Sequence, residues 1–86
     1  MASFSFEIDE RVHKDLRRIS QDTASRIWEK IKRLVDDPFP PASAKLVGSL
    51  YSYRLRVGDY RVLYFVLSDE RRIIVNHVLH RREAYR

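Results

Sequence analysis

The segment from Tyr51 to Tyr64, which reads YSYRLRVGDYRVLY, constrains the fold more than any other part of the chain. Two runs rich in Tyr, Val and Leu flank Gly58-Asp59, and a two-residue loop that contains Gly between such runs indicates a β-hairpin. If these two residues form the loop, the predicted cross-strand pairs are Val57 with Tyr60, Arg56 with Arg61, Leu55 with Val62, Arg54 with Leu63 and Tyr53 with Tyr64.

Side chains alternate between the two faces of a strand, so the hairpin divides its residues into two sets. The first face is predicted to be core and collects Tyr53, Leu55, Val57, Tyr60, Val62 and Tyr64. The second face collects Ser52, Arg54, Arg56, Arg61 and Leu63. Because Arg56 would lie across from Arg61, and like charges in that position are unfavourable, this second face is expected to bind an anion.

The rest of the chain predicts a two-layer α+β domain with the order β-α-α-β-β-β. Alternation and helical periodicity predict the following segments: a strand at Ser3–Ile8, a helix at Asp9–Ile19, a helix from Ala24 to Val35, a proline-rich loop over 36–41, a connector at Ala42–Ser49, a strand at Arg72–Leu79 and a turn or one helical turn in the tail. The sheet is predicted to be antiparallel, with the first strand at an edge. Both helices are predicted to pack on its apolar face, which leaves the arginine-bearing face open.

Composition narrows the class of protein. A chain of 86 residues is expected to form one domain over 1–86, and the lack of cysteine excludes disulfides and cysteine-based metal sites. The N-terminal residues do not resemble a signal peptide and the apolar runs are too short for a bilayer, so we expect a cytoplasmic location and no membrane partner. The three histidines lack zinc spacing, no glycine-rich phosphate loop is present, and no metal, small molecule or other cofactor is expected. His77 is interpreted as a structural residue.

The net charge of +5 is concentrated in the second half of the chain. Residues 1–49 hold nine Lys/Arg and eight Asp/Glu, whereas residues 50–86 hold eight Arg, no Lys and four acids. The planar guanidinium of arginine suits bidentate contacts to phosphate and stacking on bases. The basic half therefore favours nucleic acid as a ligand, with a solvated surface as the alternative.

The hairpin residues YRLRVGDYRVLY, followed after a strand by HRREAYR, resemble the RelE group of the RelE/ParE toxin superfamily. An initial strand with Phe residues, two helices and a Lys-Leu-x-Gly connector at 45–48 agree, so the resemblance covers essentially the whole chain. It implies a toxin of a type II toxin–antitoxin system that acts as a metal-independent, ribosome-dependent endoribonuclease. Such toxins cut mRNA in the ribosomal A site by attack of the 2′-hydroxyl, leaving a 2′,3′-cyclic phosphate.

Carried onto this chain, the resemblance implies a set of site residues. The catalytic candidates are Arg54, Arg61, Arg81, Tyr85 and His80. Among them, Arg61 and Arg81 are expected to bind the phosphate, and Tyr85 is expected to stack on a nucleobase. The RNA-binding candidates are Lys45, Ser52, Arg56, Arg82 and Arg86. Studied members place two lysines where this chain has Ser52 and Arg54, and arginine stays protonated, so the general base is left open between His80 and Tyr85.

The resemblance also implies partners: a cognate RelB-like antitoxin, the ribosome and mRNA. Two other functions remain open at this point. One is a ParE-like toxin that inhibits DNA gyrase by binding it, and the other is a catalytically inert member that only binds its antitoxin or RNA.

Overall fold

The computed structural model describes residues 4–84. Its elements are β1 (Ser5–Ile8), α1 (Glu10–Arg17), α2 (Gln21–Arg33), β2 (Ser43–Lys45), β3 (Ser52–Val57), β4 (Tyr60–Leu67), a 3₁₀ turn (Ser68–Glu70), β5 (Arg72–His80) and α3 (Arg81–Ala84). The α+β class and the predicted succession of elements are confirmed, and the tail forms the expected single helical turn. Tyr85 and Arg86 lie outside the described residues.

The five strands form one sheet in the order β1-β5-β4-β3-β2. Strands β2 to β5 pair antiparallel, but β1 pairs parallel with β5, so the predicted antiparallel sheet is in fact mixed. The prediction of β1 at an edge is confirmed. The prediction of a connector over Ala42–Ser49 is wrong, because Ser43–Lys45 pairs with β3 as the opposite edge strand. Three residues are too few to show an alternating pattern, so only the neighbouring strand reveals this one.

The two main helices follow β1 directly and are joined by a very short turn. Asp9 caps α1 by accepting a hydrogen bond from the Arg11 amide at 2.9 Å. This bond and the Arg11 side chain hold the pKa of Asp9 below its usual range. Helix α1 ends two residues earlier than predicted, and α2 begins at Gln21 with Ser20 as its N-cap. The short turn leaves the helices side by side over the sheet.

The core lies between the helices and one face of the sheet. The helices contribute Val12, Ile27, Ile31 and Leu34, and the strands contribute Leu55, Val57, Val62, Tyr64, Val66, Ile73, Val75 and Val78. Each large apolar side chain buried in this way contributes roughly 1.5–3 kcal/mol to folding. Tyr64 also donates its hydroxyl to the Pro38 carbonyl at 2.8 Å, which ties the proline-rich loop to the sheet.

The hairpin of β3 and β4 has the predicted register. Arg56 lies opposite Arg61, Leu55 opposite Val62 and Tyr53 opposite Tyr64. Gly58 is the first loop residue and has a φ of 57°, the region that a type II′ loop requires at this position. The loop chemistry and the alternation of the strands therefore agree on one register.

Strand β5 contains a β-bulge at Asn76. Leu63 pairs with His77 whereas Tyr64 pairs with Val75, so one residue of β5 is extra. Helix α1 fastens this bulge: Arg11 donates to the Asn76 amide oxygen at 2.6 Å, and Asp15 binds the ring of His77 and accepts from the Val78 amide at 2.8 Å. The interpretation of His77 as structural agrees with these contacts.

Candidate functional site

The candidate site is the face of the β3–β4 hairpin that points away from the core, which we call the arginine face. It carries Ser52, Arg54, Arg56, Arg61 and Leu63, as strand parity predicted. Together with residues 41–44 from the β2 edge, three of these residues, Arg54, Arg56 and Arg61, line an open hollow of about 590 Å³. Strand β2, which the sequence did not reveal, thus forms the far wall of this hollow.

Arg61 is the most enclosed residue of the arginine face, with 7% of its surface exposed. Its Nη1 donates to the carbonyls of Gly58 and Tyr60 at 3.0 and 2.9 Å. The hairpin turn therefore holds the guanidinium in a fixed orientation. A pre-positioned guanidinium loses less conformational entropy when it binds a phosphate than a mobile one does.

Arg81 begins α3 immediately beside the same turn. Its amide donates to the Asp59 carbonyl at 2.7 Å, and its Nε lies 4.0 Å from the Asp59 carboxylate. Arg61 contacts the first residue of the loop and Arg81 contacts the second. The pairing of Leu79 with Arg61 across β4 and β5 brings the tail to this position. Arg61 and Arg81, which the resemblance implies bind the phosphate, are thus anchored on one turn.

His80 has a different placement from these arginines. It pairs with Tyr60, which lies on the core side of the sheet, and the two rings meet edge to face with centroids 5.4 Å apart. Its Nδ1 accepts from the Arg82 amide at 3.3 Å. The structure therefore puts His80 on the opposite side of the sheet from Arg54, Arg56 and Arg61.

The predicted RNA-binding residues are spread over more than one surface. Ser52 lies on the arginine face and accepts a hydrogen bond from the Ser49 hydroxyl at 2.9 Å. Lys45 is exposed but pairs with Tyr53, so it leaves β2 on the other side of the sheet. Arg82 is exposed on α3. Arg86, another RNA-binding candidate, and the catalytic candidate Tyr85 fall outside the described residues.

Within residues 4–84, no group of three or more His, Cys, Asp or Glu side chains could hold a metal ion. Over the same residues, no helix is long and apolar enough to cross a membrane. The chemistry that the described part of this site offers is therefore that of guanidinium groups toward an anion.

Comparisons with known proteins agree with the fold. Residues 6–85 match the family model described as ParE toxin of type II toxin-antitoxin system, parDE. The curated protein "Putative toxin RelE1" of Methanocaldococcus jannaschii is 37% identical over 86 aligned positions, and the match covers 96% of this chain and 96% of that one. The chain belongs to the RelE/ParE family of toxins from type II toxin–antitoxin systems.

Two solved structures of archaeal relatives extend this result. The RelE–RelB complex from Pyrococcus horikoshii OT3 superposes with a TM-score of 0.80 at 29% identity, covering 94% of this chain and 97% of that one. The RelB–RelE antitoxin–toxin complex from Methanococcus jannaschii gives a TM-score of 0.76 at 26% identity, with coverages of 92% and 94%. The expectation of a RelE-type fold is confirmed.

Proposed function

We propose that this toxin is a metal-independent endoribonuclease that cleaves mRNA in the ribosomal A site and so inhibits translation. The observation that carries the proposal is the anchoring of Arg61 and Arg81 on the two residues of one hairpin turn, beside Arg54 and Arg56. Three guanidiniums around one open hollow, with Arg81 at the adjoining hairpin turn, suit a phosphodiester better than a neutral ligand.

In the proposed reaction the 2′-oxygen bonds to the neighbouring phosphorus and gives its proton to a base. The bond from phosphorus to the 5′-oxygen then breaks, and this oxygen takes a proton. A 2′,3′-cyclic phosphate and a 5′-hydroxyl result. Arg61 and Arg81 would stabilise the extra negative charge of the pentacoordinate phosphorus, where fixed donors are most effective. Arg54 would assist as a cation, because arginine does not lose its proton in proteins.

The group that accepts the 2′-hydroxyl proton is assigned from its place in the chain. His80 lies on the core side of the sheet, away from the arginine face. The location of His80 favours Tyr85, at the end of the same tail, as the group that orients the 2′-hydroxyl. A comparison of His80→Asn with Tyr85→Phe tests this assignment: only the second should reduce cleavage at saturating ribosome concentration.

We expect Arg61→Ala and Arg81→Ala each to lower the cleavage rate roughly 10²-fold, the scale seen when one fixed donor to a transition-state oxyanion is removed. Primer extension on an actively translated mRNA measures the cuts, and Arg17→Ala on the exposed surface of α1 is the matched control. Full cleavage by both variants would rule out the assigned roles.

The proposed protein partner is a RelB-like antitoxin, as in the solved complexes of the relatives. The basic charge of the arginine face suits an acidic segment. The large apolar residues Val47, Leu50 and Tyr51 are more than half exposed, which also favours a partner that covers them. Co-expression with the adjacent reading frame, followed by co-purification, tests this expectation.

A second candidate is inhibition of DNA gyrase by direct binding, and the match to a family model named for ParE toxins is the observation that favours it. A supercoiling assay with purified gyrase distinguishes the two functions. Inhibition without mRNA cleavage would support the second candidate, cleavage without inhibition the first. Absence of both effects would indicate an inert member that binds only its antitoxin or RNA.

A further inference from the structure

Helix α2 carries a row of cations that the proposed cleavage site does not use. Arg26, Lys30 and Arg33 recur at i, i+4 and i+7, so they form one stripe along the helix, and each is exposed. We call these three residues the α2 stripe. Like charges at these spacings repel one another, so the stripe concentrates positive charge along one side of the helix.

Ion pairing within the protein does not neutralise this stripe. Lys32, on another side of the helix, pairs with Glu29 at 2.9 Å. Among residues 4–84, by contrast, neither the stripe residues nor Arg56 has a carboxylate within 4.0 Å. Acids do adjoin the stripe, with Asp22 four residues before Arg26 and Glu29 four residues before Arg33, but neither carboxylate lies within 4.0 Å of a stripe cation.

Arg56 connects the α2 stripe to the arginine face. It lines one hollow of about 420 Å³ with Arg26 and Lys30, and a second hollow of about 450 Å³ with Lys30 and Arg33. It also lines the hollow of the arginine face with Arg54 and Arg61. The cations therefore follow one continuous band from the candidate cleavage site, around β3, to α2. Two carboxylates adjoin the band, Asp37 in one hollow and Asp59 in the other.

The floor of the 450 Å³ hollow offers no deep pocket to an apolar side chain. Leu34 and Leu55 line the larger hollow but are 0% and 2% exposed, so they offer almost no surface for an apolar side chain. The exposed positions around it are Pro41, Ala42, Asp37 and the three cations. An amphipathic helix needs apolar anchors in its groove, whereas a phosphate backbone needs only a track of cations.

We propose that the α2 stripe and Arg56 form a second RNA-binding surface, which holds the sugar–phosphate backbone of a folded RNA while the arginine face holds the strand to be cut. This inference rests on the proposed function only in taking RNA as the target of the toxin. Phosphate contacts of this kind position a nucleic acid without reading its sequence. The surface would thus set affinity, and the arginine face would set the rate of cleavage.

The test uses the full-length toxin and a fluorescent RNA hairpin whose riboses are all 2′-O-methylated, so that it cannot be cut by 2′-attack. We expect the triple variant Arg26→Gln, Lys30→Gln, Arg33→Gln to weaken binding at least 10-fold in about 0.1 M salt. We also expect the slope of log K against log salt to become shallower by about 2, since each lost phosphate contact contributes about 0.7–0.9. The charge-matched control, Lys14→Gln, Arg17→Gln, Arg18→Gln on α1, should stay within threefold of the parent.

Equal loss in both triple variants would overturn the proposal, because net charge alone would then explain the binding. Unchanged RNA binding by the α2 variant would also overturn it. So would a polyglutamate peptide that binds this surface while the hairpin does not, since the ligand would then be an acidic protein. The variant Arg26→Lys, Arg33→Lys keeps the charges, and retained binding by it would support the proposal over a defect in folding.

Cleavage of translated mRNA by the same preparations separates this inference from the proposed function. If the parent binds the hairpin through the α2 stripe but never cuts mRNA, the second surface stands and the proposed function fails. If the α2 variant cuts mRNA as the parent does at every ribosome concentration and binds the hairpin normally, the proposed function stands and the second surface fails. Cleavage that is restored by raising the ribosome concentration supports both.

Discussion

The β3–β4 hairpin and the C-terminal half of β5 both position residues of the candidate site, yet the pairing register of each is determined in a different way. The hairpin sets its own register: Gly58-Asp59 is a local loop, and alternation in each strand agrees with it. Strand β5 is held by residues more than sixty positions away, because Arg11 and Asp15 on α1 bind its bulge. One arginine of the site is thus positioned by local sequence and another by long-range packing.

The bulge at Asn76 decides which face each later residue of β5 joins. Val75 and Val78 are both buried although they are three residues apart, which a regular strand does not allow. The extra residue also places Leu79 across from Arg61 and His80 across from Tyr60. The position of Arg81 at the hairpin turn therefore depends on one bulged residue.

The largest effect should come from deleting Asn76. Without the extra residue, one half of β5 must present its other face to the core, so that Val78 is exposed and a polar neighbour is buried. We expect the free energy of unfolding to fall by about 3–5 kcal/mol, from lost apolar burial and from the lost Asp15 contact. Urea denaturation followed by circular dichroism measures this loss.

The matched control for that deletion is Asn76→Ala, which keeps the bulge and removes only the hydrogen bond from Arg11. It should cost less than about 1.5 kcal/mol. If the deletion and the substitution have equal effects, the bulge does not determine the register of β5.

The contrast between these two regions also shows what the sequence could predict. The side of the sheet on which Arg54, Arg56 and Arg61 lie could be predicted from the Gly58-Asp59 loop and from the alternation of side chains along each strand. Both are local features of the sequence. The run from Ile73 to Leu79 places five apolar residues around the adjacent polar pair Asn76-His77, so it shows no regular alternation, and neither the bulge nor the side on which His80 lies could be predicted. The anchoring of Arg81 on Asp59 and the contribution of β2 to the site arise from pairing between strands, which the pattern of a single segment does not contain.

Tyr64 joins the two regions, since it pairs with Tyr53 of the hairpin and with Val75 beside the bulge. Burial raises the pKa of its hydroxyl to about 12, against an ordinary value of 10. The folded state therefore holds this proton more tightly than the unfolded state. The contribution of this group to the free energy of unfolding is fully present below pH 10 and is lost as the pH rises toward 12. The total loss is about 2–3 kcal/mol.

Tyr64→Phe separates this effect from other alkaline titrations. At pH 7 the variant should be about 1 kcal/mol less stable than the parent, because the Pro38 carbonyl loses its donor. Near pH 12 the order should reverse, since the phenyl ring has no proton to lose. Urea unfolding of both proteins across this range measures the difference, and parallel curves without a crossing would show that Tyr64 ionises as easily in the folded state.

Asp15→Ala tests the long-range fastening without changing the length of β5. The side chain of Asp15 serves both the ring of His77 and the Val78 amide, so its removal leaves two enclosed polar groups without an acceptor. We expect a loss of about 2 kcal/mol, with Asp15→Asn losing less because its amide oxygen still accepts. Asp36→Ala, an exposed carboxylate at the end of α2, is the control and should change stability by less than about 0.5 kcal/mol.

The smallest effect is expected at the hairpin loop, which the local sequence specifies. A Cβ at Gly58 would meet no atom within 4 Å, so the only penalty for Gly58→Ala is its positive φ of 57°. That penalty is about 1 kcal/mol, and alternation in the two strands should keep the register unchanged. Amide chemical shifts of β3 and β4 and a urea titration measure both quantities. Gly48→Ala, at a φ of 82° and also with open space around it, is the matched control outside the hairpin. A shift of register in the Gly58 variant would show that the loop, and not the strand pattern, determines the pairing of Arg56 with Arg61.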